Sequence, residues 1–129
     1  MGLDQYLVAI KKDTNSSDVD AEHVGFQLSE QICYWRKHSN LQGYMQNLAL
    51  KKGLVTNIDQ FNCIGLHLNL KDLDEIREVI KSSKLPVTKG FFFGSSHGDQ
   101  SELEQDLIAF DEAESYLRMG WDVVYSCWW

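Results

Sequence analysis

The chain is poor in proline, cysteine and positive charge, and it has no long apolar run; each scarcity removes a class of protein. Pro86 is the only proline, so nothing resembles a proline-rich linker. Cys33, Cys63 and Cys127 are odd in number, far apart and without C-x-x-C spacing. A disulfide framework is therefore not expected, and the three read as reduced core thiols in a reducing compartment. Lys and Arg total 12 against 19 Asp and Glu, giving a net charge of −7 and a pI near 4.9. That field repels polyanions, so non-specific nucleic-acid binding and anionic membranes are not expected. No apolar stretch reaches the roughly 18 residues of a bilayer span. Met1-Gly2-Leu3-Asp4 lacks the basic and apolar regions of a signal peptide, and Tyr6 stands where a myristoylation signal has Ser or Thr. A soluble, cytoplasmic protein is the expectation. His23, His38, His67 and His97 never occur as H-x-x-x-H or H-E-x-x-H, so no metal and no cofactor is expected.

What is present fits one domain. A length of 129 residues with 43% hydrophobic content supports a single core. Tyr6 to Ile10 alternates as a first strand, and a polar excursion follows from Lys11. Ser29 is placed to cap a helix over roughly Glu30 to Lys52, closed by Gly53, with Ile32, Trp35, Leu41, Met45 and Leu48 as its apolar stripe. Ile64, Leu66 and Leu68 alternate as a second strand, and Asn69 caps a helix carrying Leu73, Ile76, Val79 and Ile80, with Pro86 blocking its continuation. Ser101 and Glu104 have capping-box spacing ahead of Leu103, Leu107, Phe110 and Leu117, and Gly120 ends that helix. Trp121 to Trp129 alternates as a last strand holding three of the four tryptophans. This order predicts an α+β fold: a small, mainly antiparallel sheet with about three helices on one face.

Two segments are candidates for function. In Lys89 to Asp99, the aromatics Phe91, Phe92 and Phe93 lie between Gly90 and Gly94. Three adjacent bulky rings fit neither simple alternation nor an amphipathic helix. They are suited to the core, with the glycines making turns; alternatively Gly94, Ser95 and Ser96 form an anion-accepting turn beside His97. The P-loop spacing is absent, and Ser95, Ser96, His97 and Asp99 are too close in sequence to converge as a triad. The second segment is Tyr34, Trp35, Arg36, Lys37, His38, Ser39 and Asn40. On a helix, Arg36 and Asn40 would share a side, and a guanidinium beside an amide and an indole can hold an anion while stacking a planar ring. The competing role is structural, with Trp35 in the core and Arg36 paired to a carboxylate. The acidic residues Glu102, Glu104, Asp106, Asp111, Glu112 and Glu114 read as a solvated helix face.

Met1-Gly2-Leu3-Asp4-Gln5-Tyr6-Leu7, Tyr34-Trp35-Arg36-Lys37, Gly90-Phe91-Phe92-Phe93-Gly94-Ser95 and the Trp-bearing last strand together resemble a family of small uncharacterised proteins found mainly in bacteriophages and bacteria. The resemblance covers nearly the whole chain. It implies a phage-type accessory protein, located in the host cytoplasm if phage-encoded, and it carries no activity to transfer.

The functional expectation is non-catalytic binding of an anionic small molecule such as a nucleotide, in a cleft between the Tyr34 to Asn40 helix face and the Gly90 to Asp99 turn. Tyr34, Trp35, Arg36, Lys37, Asn40, Gly94, Ser95, Ser96 and His97 would form it. The alternative is a module that engages a host protein through Trp128, Trp129 and one outward Phe. A third is an enzyme using His97 as general base. The tryptophan-rich last strand is also suited to a homodimer, by pairing across a two-fold axis or by burying its outer face.

Overall fold

A computed structural model describes residues 2–11, 29–88 and 100–129. Alternation along Asp4–Ile10 (β1) puts Gln5, Leu7 and Ala9 inward with no exposure. β1 lies between Ser29–Arg36 (β2) and Asp122–Trp128 (β4), and β4 pairs in turn with the short Leu66–Leu68 (β3). Every pairing is antiparallel. The register sets Gln5 opposite Trp35 and Cys127, and Leu7 opposite Cys33 and Tyr125, so the inward side chains of neighbouring strands share one face. Ser39–Lys51 (α1), Leu70–Lys81 (α2) and Gln100–Arg118 (α3) complete an α+β fold with a single core.

The expected helix from Glu30 is corrected: residues 29–36 are a strand, and helix begins only at Ser39. A bulge explains why the helical spacing misled. Leu7 pairs with Cys33 but Val8 with Gln31, leaving Ile32 as the extra residue and breaking the two-residue period. Ile32 and Cys33 are then both half-buried, which mimics one face of a helix. Ser29 caps nothing, and His38 precedes α1 without a side-chain cap. The β-prone Ile32-Cys33-Tyr34-Trp35 run pairs with β1 instead.

The other boundaries follow local chemistry. Asn69 accepts from the Asp72 amide while Asp72 accepts from the Asn69 amide, a full capping box at the start of α2. All three helices stop in the same way. The amide of a left-handed residue bonds the third carbonyl back, and the next amide reaches the fifth. Gly53 (φ 75°) and Gly120 (φ 89°) serve α1 and α3, whereas α2 uses Ser83 at φ 56°. Pro86 thus lies beyond a helix that has already ended. Ser101 lies inside α3 rather than capping it, and Ile64 lies outside β3.

α2 and α3 are clamped by Arg77, which donates to Asp74 (2.6 Å), Asp111 (2.9 Å) and Glu114 (2.5 Å). α3 packs on the sheet through Ala109, Phe110 and Ala113, with Phe110 stacked on Trp35 at 5.9 Å between ring centres. The last strand is internal, so neither of its edges is free to pair with a second molecule. That removes edge pairing of β4 as a route to a homodimer.

Candidate functional site

The site is built where β2 leaves the sheet. Lys37 takes φ 59° and donates its amide to Leu3 O at 2.8 Å. This turn ends the strand and drops His38 into the interior, where it is 3% exposed. Gln5 holds the turn from the neighbouring strand: its Oε1 accepts from the His38 amide (2.8 Å), and its Nε2 donates to His38 O (3.0 Å) and to Tyr125 Oη (3.0 Å).

Strand parity turns Trp35 inward as well. Its Nε1 donates to Asp106 Oδ1 at 2.8 Å, and His38 Nε2 donates to Asp106 Oδ2 at 2.8 Å. Glu102 Oε1 is 3.7 Å from the same imidazole nitrogen. Asp106 was expected on a solvated face, but it is 1% exposed. Its position gives the reason: Asp106 lies three residues after Leu103 and four before Phe110, inside the apolar stripe of α3. A carboxylate at that spacing is the signal that could have marked it.

Behind this pair runs a buried chain of polar groups. Tyr125 Oη donates to Gln42 Oε1, Gln42 Nε2 donates to Cys127 Sγ (3.3 Å), and Cys127 Sγ donates to Phe61 O (3.4 Å). Burial pushes the Cys127 thiol up to about 11 and the Tyr125 phenol well above its ordinary value. Both stay protonated as donors, so the network fixes the sheet against α1.

An open hollow of about 310 Å³ is lined by Tyr34, Trp35, Arg36 and His38 from the β2 end and by Ser101, Glu102 and Gln105 from α3. A second, of about 180 Å³, lies beside Asn40, Leu85, Leu103 and Asp106. Glu102 lines both. Arg36 is on the rim, 3.8 Å from Asp4. Tyr34 donates to Asp4 Oδ1 at 2.5 Å, and that bond raises the pKa of the phenol. A methyl group on Gly2 would come 2.9 Å from Lys37 Cε and 3.5 Å from Arg36 Nη2, so the two cationic side chains converge over Gly2.

The structure therefore brings Tyr34, Trp35 and Arg36 to one hollow, with Lys37 exposed nearby. It separates Asn40, which lines the second hollow and accepts from the Thr88 amide at 3.1 Å. Arg36 and Asn40 do not share a helix face, because Arg36 is on a strand. Trp35 is no stacking platform: its ring and its N–H are committed to Phe110 and Asp106. Gly94, Ser95, Ser96 and His97, with the three adjacent Phe, lie outside the described residues. Sequence reasoning missed Glu102, Gln105, Asp106 and the placement of His38.

Among the described residues no group of three or more His, Cys, Asp or Glu is arranged to hold a metal ion, and no helix is long and apolar enough to cross a membrane. No protein-family model, curated protein or solved structure matches the chain.

Proposed function

We propose that the chain is a non-catalytic binding protein for an anionic, ring-bearing small molecule, with a mononucleotide as the ligand class, acting as a phage-type accessory protein. The observation that carries this reading is the 310 Å³ hollow, which joins a cationic rim to a carboxylate and an amide. Its volume is at the lower end of small-molecule pockets. Arg36 and Lys37 are suited to the phosphate. Tyr34, 40% exposed, offers a ring face for stacking in place of Trp35, while Glu102 and Gln105 can accept from and donate to a base edge. Isothermal titration of the full chain against a panel of purine and pyrimidine mononucleotides tests it. Arg36→Ala should weaken the best ligand about tenfold, the loss of one charge-assisted hydrogen bond. Absence of binding across the panel, or equal affinity in Arg36→Ala and Glu102→Gln, would refute the reading.

A second reading, engagement of a host protein, draws on Trp128, which is 61% exposed on the outer face of the sheet. Trp129 does not share that role. It is packed against the core, and Asn62 bonds both its amide and its carbonyl. Trp128→Ala should then remove a partner recovered with the wild-type chain from host extract.

A further inference from the structure

Of the three cysteines expected in the core, only Cys127 is buried; Cys33 is half-buried and Cys63 is exposed. Cys63 also holds an unusual backbone position. The Ile64 amide donates to Phe61 O at 3.2 Å, Asn62 takes φ −60° and ψ 124°, and Cys63 takes φ 65°. Those angles define a type II turn over residues 61–64, whose third position favours Gly or Asn. The turn is fastened to β4 at Cys127. The Cys63 amide donates to Cys127 O at 2.8 Å, and the Cys127 thiol donates to Phe61 O, at the first residue of the turn, at 3.4 Å. Residues bonded in this way across antiparallel segments have Cα atoms about 5.5 Å apart, within the roughly 4.4–6.8 Å that a disulfide spans. After burial and the bond from Gln42, the strongest influences on the Cys127 thiol are the charge and then the amide of Cys63, so the two side chains are neighbours. Cys33, although nearer to Cys63 in sequence, is on β2 at the opposite edge of the sheet from β3.

We infer that Cys63 and Cys127 form a site of reversible oxidation, which closes to an intramolecular disulfide when the chain meets hydrogen peroxide. The exposed Cys63 reacts first. Its thiolate sulfur attacks one peroxide oxygen, the O–O bond breaks, and the other oxygen leaves as hydroxide and is protonated to water, giving a sulfenic acid at Cys63. The Cys127 sulfur then displaces that oxygen as a second water, losing its own proton as the S–S bond forms. Two thiols are oxidised by two electrons, and one peroxide is reduced to two waters. To close, Cys63 gives up its thiol contact with Asn62 Oδ1 at 3.5 Å, and Cys127 gives up its bond to Phe61 O. Transient closure by an oxidant is the usual form of a disulfide in a reducing compartment. Neither cysteine lines the hollow assigned to the nucleotide, and the test requires no ligand.

The folded full chain is treated with one equivalent of hydrogen peroxide, blocked with N-ethylmaleimide, digested and mapped by mass spectrometry without reductant. The expected product is a monomer lacking two hydrogens, with the Cys63 and Cys127 peptides joined and Cys33 alkylated; dithiothreitol should restore all three thiols. In urea the preference should reverse, with Cys33 joined to Cys63 about threefold more often than Cys127 is, because loop length alone then governs closure. Cys63→Gly, which suits the positive φ of the turn, should form no native intramolecular link, while Cys33→Ser should form the link as wild type does. Absence of the Cys63 to Cys127 link in the folded wild type, a native link through Cys33, a disulfide between two molecules as the main product, or the same pattern of links in urea as in buffer would each overturn the proposal.

Discussion

Replacing Asp106 with alanine removes the acceptor on which two buried donors depend. Trp35 Nε1 and His38 Nε2 each lie 2.8 Å from one of its oxygens, and the three residues are at most 5% exposed. A buried donor left without a partner costs about 1–3 kcal/mol, so the two together cost roughly 2–6 kcal/mol. Against a total stability of about 5–15 kcal/mol for a domain, this is a large fraction. At roughly 3–6 °C per kcal/mol for a chain of this length, a loss near the middle of the range, about 4 kcal/mol, lowers Tm by about 12–24 °C. Asp106→Asn separates the polar effect from the loss of volume. Its Oδ1 still accepts from Trp35, and its amide can face His38 Nε2 if the imidazole takes the other tautomer, so a loss of about 1 kcal/mol is expected. Calorimetry and urea titration measure both variants, with near-UV circular dichroism of Trp35 as a local probe. Asp106→Ala within about 0.5 kcal/mol of wild type, the scatter of ordinary surface changes, would refute the reasoning, because the two donors would then have found other partners at no cost.

Gly43→Ala should destabilise although alanine is the better helix former by about 1 kcal/mol. The added Cβ would be 1.8 Å from Thr88 Oγ1 and 2.8 Å from Thr88 Cβ, so the 84–88 segment must move away from α1; a lowered Tm is expected, and a raised one would show that the segment yields freely. Stability should also fall as pH rises from 9. Cys127 holds its proton up to about 11 in the fold against an ordinary 9.0, so above pH 9 the unfolded chain releases a proton that the folded chain keeps. The contribution is complete below pH 9 and lost on rising through 11, about 2–3 kcal/mol for that gap. Urea denaturation from pH 8 to 11 should give a steeper decline for wild type than for Cys127→Ala, and parallel slopes would contradict it.

Much of the fold could be read without coordinates because its signals are local. Asn69 capping α2, Gly53 and Gly120 ending α1 and α3, and the strict alternation of β1 and β4 each depend on a few adjacent residues, so the α+β class and most element positions were legible. β2 was not. Its pairing partners are 19 to 32 residues away, and one bulged residue converted its period into that of a helix. The site depended on the same kind of distant contact. Sequence marked Tyr34, Trp35 and Arg36 as unusual, but which face each took followed from strand parity and from the left-handed turn at Lys37. Gln5, Asp106 and His38 became a site only when β1, α3 and the β2 exit were brought together. A buried carboxylate and a solvated one have the same letter, and only the surrounding packing distinguishes them.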